Sequence, residues 1–126
     1  MSVAKKKALI VDDEPDTVTF LTKWLEDNGF EACSATDGDQ GMQAVIEEKP
    51  DIILMDLRMP NQTGMQLYRK LRLREELKHI PVIFVTGLTE FQIFGEDSTP
   101  LPKPEAFIEK PINLDALHTA IKKLIG

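Results

Sequence analysis

The chain has a single cysteine, Cys33, in 126 residues. No internal disulfide can form, and a reducing compartment fits. No apolar run approaches the roughly 18 residues that span a bilayer, and no signal peptide opens the chain, so a cytoplasmic location is expected and no membrane partner. Positive charge is in the minority, with 15 Lys and Arg against 21 Asp and Glu and a net charge of −6. That balance offers no broad basic face to phosphates, so direct nucleic-acid binding is not expected, and Lys5, Lys6 and Lys7 read as a solvated flank. Repeats are absent, and the only biased stretch is the proline-spaced Pro100, Pro102 and Pro104. His79 and His118 lie in polar surroundings and read as surface residues. With 42% hydrophobic and 29% charged residues, residues 1–126 make one soluble domain.

What is present is an alternation. "KALIV", "FEACSA", "DIILM", "PVIFV" and "AFIE" are short runs of strand character. Between them, apolar residues recur at helical spacing: Val18, Leu21 and Leu25, then Met42, Val45 and Ile46 facing inward, then Leu67 and Leu71. Leu114, Leu117, Ile121 and Leu124 mark a last helix, with Asn113 as its N-cap and Lys122 and Lys123 at its C-terminal dipole. Pro15 suits a first helical position, and Gly29 suits a helix stop. Trp24, one position short of its stripe, reads as half-buried packing. Cys33, in a short strand, reads as an inert small hydrophobe. Strands apolar throughout and separated by helices predict an α/β fold: a five-stranded parallel, doubly wound sheet covered on both faces. Ligands of such sheets sit beyond the carboxyl ends of the strands, where the strand order reverses.

Five polar residues stand at those ends. Asp12 and Asp13 follow the first strand, Asp56 the third, Thr86 closes the fourth, and Lys110 follows the fifth. Each has an ordinary reading: acidic residues suit a helix N-terminus, an aspartate suits a turn, and a Lys-Pro pair suits a strand exit. Their placement together at one edge is the specific signal. Carboxylates packed together repel and need a partner to stay ionised. Mg²⁺ favours oxygen ligands and bridges to phosphate, so Asp12, Asp13 and Asp56 form a candidate metal site. An Asp56 oxygen would remain free to attack phosphorus, with Lys110 and the Thr86 hydroxyl drawing on the phosphoryl oxygens.

The stretches "LIVDDE", "DIILMDLRMPNQTG", "VIFVTG" and "FIEKP" resemble the receiver domain of two-component response regulators, over essentially the whole chain. The resemblance implies a flavodoxin-like strand order 2-1-3-4-5 with five helices. It implies that Asp56 accepts a phosphoryl group, that Asp12 and Asp13 help bind Mg²⁺, and that the backbone carbonyl of Arg58 is a further ligand. Thr86 and Lys110 would contact the phosphoryl group, Thr86 and Phe107 would be switch residues, and the Lys110–Pro111 bond would be cis. Phe107 also reads as ordinary core. The implied partners are a sensor histidine kinase or phosphotransfer protein and a downstream output protein or domain, with homodimerisation left open. The domain would be no enzyme beyond its own phosphoryl transfer and slow autodephosphorylation. Two alternatives stand beside this reading. One is an aspartate-nucleophile phosphatase of the haloacid dehalogenase type, which would want an aspartate where Arg58 stands. The other is a receiver-like interaction module that takes no phosphate. The chain ends just past its last helix, as a free-standing receiver or a piece of a longer regulator would.

One stretch departs from the family. In "GLTEFQIFGEDSTPLPKPEAF", Thr89 and Gln92 predict a capping box beside a Leu88/Ile93 staple, but Gly95 and the three prolines forbid a full helix. A short or irregular fourth helix is expected, followed by an extended segment that is either a stiff surface connection or a reshaped signalling face. Arg58 and Leu88, each two residues beyond a site residue, would overlook the phosphoryl group. We expect autodephosphorylation without fast water-orienting help, and a phosphoryl half-life of seconds would contradict this.

Overall fold

Each of the five apolar runs forms a strand. The structure, a computed structural model, describes residues 5–57, 59, 63–89, 92–93 and 102–126. In chain order these are β1 (Lys7–Val11), α1 (Pro15–Asp27), β2 (Glu31–Ala35), α2 (Gly38–Glu48), β3 (Ile52–Met55), α3 (Thr63–Leu73), β4 (Val82–Thr86), β5 (Ala106–Glu109) and α4 (Leu114–Ile125). The strands form one parallel sheet in the order β2-β1-β3-β4-β5, as expected. The order reverses between β1 and β3, which puts the topological switch point at their carboxyl ends.

Alternation along each strand divides the core in two. Leu9, Val11, Ile53, Met55, Val82 and Phe84 meet Val45 of α2 and Leu67, Tyr68 and Leu71 of α3. Ala8, Ile10, Ile52, Leu54, Ile83 and Val85 meet Leu21 and Leu25 of α1 and Leu117 and Ile121 of α4. Both faces are therefore covered, which is why the strands read as continuous apolar runs. Cys33 and Trp24 are half-buried, each packed on its own side of the sheet. Two burial expectations, Ile46 inward and His118 on the surface, need correction. Ile46 is 52% exposed, because the buried side of α2 is carried by Gly38, Gly41 and Val45. His118 is half-buried, edge-on to Trp24 with ring centroids 5.6 Å apart.

Local signals placed the helix ends. Pro15 starts α1, and Gly29 beyond its end takes φ +89°, a conformation open to glycine. The Asp37 carboxylate accepts from the Gln40 amide at 2.8 Å, and Asn113 caps α4 by accepting from the Ala116 amide at 3.0 Å. Four helices stand among the described residues. Between β4 and β5 the expected capping box is present: the Thr89 amide donates to Gln92 Oε1 at 2.8 Å, and the Gln92 amide donates to Thr89 Oγ1 at 3.1 Å. Gln92 and Ile93 are helical, and Leu88 and Ile93 both pack on the α2/α3 side. Gly95 and Pro100, and with them the expected end of that helix, lie outside the described residues.

The far end of the proline-spaced segment is fastened to α3. The buried Tyr68 hydroxyl donates to the Pro102 carbonyl. The Arg72 guanidinium lies over the Tyr68 ring, 4.9 Å from its centroid, and pairs with Glu105. Arg72 also donates to the carbonyls of Lys78 and Ile80 at 3.0 and 3.1 Å, and Glu105 accepts from the Val82 amide at 2.7 Å. Burial raises the Tyr68 pKa, so the hydroxyl keeps its proton as a donor. Together these contacts align β5 beside β4.

Two leucines at the end of α3 separate packing from helix propensity. Leu71 is fully buried and Leu73 is 73% exposed. Leu71→Ala should cost about 2–5 kcal/mol in urea unfolding, and Leu73→Ala under about 0.5 kcal/mol. Equal losses at the two positions would contradict the layer assignment.

Candidate functional site

Strand register alone brings the acidic residues together. Val11 pairs with Met55, so Asp12 and Asp56 leave adjacent strands side by side, and the Asp56 amide donates to the Val11 carbonyl at 2.9 Å. Thr86 pairs with Glu109, and the Lys110 amide donates to the Thr86 carbonyl at 2.8 Å, which carries Lys110 to the same edge. The Lys110–Pro111 bond is cis, as the resemblance implied. The Lys110 ammonium donates to Asp56 Oδ2 at 2.9 Å, to Asp12 Oδ2 at 3.0 Å and to Glu14 Oε1 at 3.1 Å.

The loop leaving Asp56 is anchored as well. Leu57 and Met59 are buried. A Cβ on Gly64 would stand 2.6 Å from the Asp56 carbonyl oxygen, so only glycine lets the start of α3 close on this loop. Arg58, whose carbonyl was an expected metal ligand, lies outside the described residues.

Glu14, which the sequence reading did not single out, joins the cluster. Among the described residues, the carboxylates whose oxygens lie within 4.8 Å of one another are Asp12, Glu14 and Asp56. Asp13 is half-exposed beside them. Glu14 follows a bend at Asp13, and its amide donates to Asp12 Oδ1 at 2.9 Å. Thr86 is fully buried, and its Oγ1 accepts from the Leu88 amide at 3.3 Å. Phe107 is half-buried, its ring 6.3 Å from that of Phe84.

Charge in the site is balanced around one ammonium. Burial alone would lower the Lys110 pKa, but its hydrogen bonds to Asp56 and Asp12 outweigh burial and raise it. For Asp12 the order is reversed: burial raises its pKa, and hydrogen bonds from the Glu14 amide and Lys110 offset only part of that. The two buried carboxylates, Asp12 and Asp56, offer hard oxygen donors side by side, which fits a cation such as Mg²⁺.

The strand order, the switch-point carboxylates and the strand-end lysine define a doubly wound α/β domain with an acidic site at the carboxyl edge of its sheet. The chain matches the response regulator receiver domain over residues 8–122 and belongs to that family, within two-component signalling. It is 33% identical over 122 residues to the polar-differentiation response regulator DivK of Brucella abortus, covering 96% of this chain and 97% of that one. A sensor protein from Polaromonas sp. JS666 shares the fold with TM-score 0.87 and 25% identity, covering 97% of each chain. The receiver domain of the sensor histidine kinase PA1611 from Pseudomonas aeruginosa, with TM-score 0.82 and 25% identity over 98% of this chain and 99% of that one, carries a magnesium ion coordinated in its active-site cleft. No helix among the described residues is long and apolar enough to cross a membrane.

The raised Asp12 pKa has a stability consequence. A carboxyl group whose folded pKa lies above its unfolded value favours folding most at low pH, and that contribution is lost as pH rises through the folded value. At neutral pH the cost of the buried charge is complete. Without divalent cations, Asp12→Asn should raise the urea midpoint at pH 7, and the gap should close as pH falls below about 4. A wild type more stable than the variant at pH 7 would contradict this.

Proposed function

We propose that this domain accepts a phosphoryl group on Asp56 from a histidine kinase or phosphotransfer protein, with Mg²⁺, and that phosphorylation shifts its conformation toward a form read by a downstream output. The observation that carries the reading is the buried Asp56 carboxylate held 2.9 Å from the Lys110 ammonium at the switch point of the sheet. Asp12, Asp13, Asp56 and the Arg58 carbonyl would hold the cation, while Glu14 pairs with Lys110. A cation bound there would supply positive charge to the phosphoryl oxygens. An Asp56 oxygen forms its bond to phosphorus as the bond to the donor's leaving atom breaks. Lys110 neutralises charge on the transferred group, and buried surroundings strengthen that interaction.

In the proposed switch, Thr86 turns its hydroxyl from the Leu88 amide toward the phosphoryl group, and Phe107 repacks with it. Moving a domain from mostly inactive to mostly active needs about 5 kcal/mol of differential interaction, which a few charge-assisted hydrogen bonds supply. A groove of about 330 Å³ lined by Asp16, Thr17, Phe20, Lys110, Pro111 and Ile112 opens beside the ammonium and supports approach of a partner from that side. On this reading residues 1–126 act as one cytoplasmic receiver. The phosphatase alternative has Arg58 where its general acid belongs, and nothing favours it.

Incubation with acetyl phosphate and Mg²⁺, followed by intact mass, tests the proposal. Wild type should gain one phosphoryl group, while Asp56→Ala, or wild type with the cation chelated, should gain none. Equal labelling of Asp56→Ala would refute it.

A further inference from the structure

We infer that Glu14 restrains Lys110 in the resting domain and releases it when Asp56 is phosphorylated, so that Glu14 sets how readily the acceptor is charged. The inference rests on Asp56 being the acceptor. Glu14 acts through Lys110 and is a positioning residue.

A count of donors leads there. A lysine ammonium has three N–H groups, and here they meet three carboxylates, Asp56, Asp12 and Glu14, at 2.9, 3.0 and 3.1 Å. A phosphoryl group on Asp56 brings new acceptor oxygens, and Lys110 can donate to one only by giving up a present partner. The Asp12 and Asp56 side chains are each 3% exposed, and the Glu14 side chain is 63% exposed. A buried carboxylate deprived of its cation has no water to replace it, whereas Glu14 rehydrates at once. Glu14 is therefore the partner whose loss costs least.

The start of α1 leaves Glu14 available for this. It holds the N-cap position, where a side-chain oxygen ordinarily bonds a first-turn amide, yet its side chain makes no cap bond. Pro15 follows it and brings no N–H to satisfy. The Glu14 amide donates instead to Asp12 Oδ1 at 2.9 Å, which fixes the segment with both carboxylates toward Lys110. Glu14 favours the resting arrangement twice over: it occupies the ammonium, and its charge opposes an incoming anionic donor.

The test follows phosphorylation by acetyl phosphate in the presence of Mg²⁺, across donor concentrations, by intact mass. In the step read, an Asp56 oxygen–phosphorus bond forms while the phosphorus–oxygen bond to acetate breaks, and acetate leaves with the electron pair. Glu14→Gln removes the charge and keeps the shape, and Asp39→Asn removes one exposed charge from the first turn of α2 as a control. Because exposed ion pairs are weak, Glu14→Gln should raise the subsaturating rate about two- to fivefold. The gain should shrink between about 50 and 500 mM salt as the pair is screened. Its urea midpoint should match wild type, and Asp39→Asn should react at the wild-type rate. A Glu14→Gln rate at or below wild type, or an equal gain from Asp39→Asn, overturns the inference. Wild type that never gains a phosphoryl group overturns the acceptor reading itself, and this inference with it.

Discussion

The site depends on one ammonium set among carboxylates at the edge of a parallel sheet. Asp12 and Asp56 are buried side by side because β1 and β3 are neighbours in register. Two adjacent buried negative charges are tolerable only with a cation between them. Lys110 supplies it, delivered by β5 two strands away and held by its own amide to Thr86. Much of the fold can be read as the means of bringing that lysine across. The Tyr68–Arg72–Glu105 contacts align β5 on β4.

The same arrangement suits the cation and the phosphoryl group of the proposed function. Oxygen donors already face one another, which suits the proposed hard metal ion. Lys110 keeps its proton at neutral pH, because its partners raise its pKa against the effect of burial. In the proposed switch, phosphorylation of Asp56 changes which acceptors share that charge. The exposed member of the set, Glu14, is the natural one to leave.

Sheet and layers were legible in the sequence because parallel strands covered on both faces must be apolar throughout, and "IILM" and "VIFV" are. Helix ends were legible where a single residue carries the reason, as with Pro15, Gly29, Asn113 and the Thr89/Gln92 box. Side-chain direction was less so. Ile46 lies beside Val45 in sequence but off the buried stripe of α2. Asp13 and Glu14 stand at the bend that follows β1, and three consecutive acids give no contrast to read. The Tyr68–Pro102 bond joins residues 34 apart, and no local pattern announces it. That bond favours the stiff-connection reading for the last part of the proline-spaced stretch.

The central claim is that this edge of the sheet makes an aspartyl phosphoryl acceptor of Asp56. Borohydride reduces an acyl phosphate and marks the carboxylate that bore it, so peptide mass mapping after acetyl phosphate, Mg²⁺ and borohydride reads the acceptor directly. The account predicts a Mg²⁺-dependent mark on Asp56 and on no other carboxylate. A mark on Asp12, Asp13 or Glu14 instead, or one that forms equally well without the cation, would contradict it.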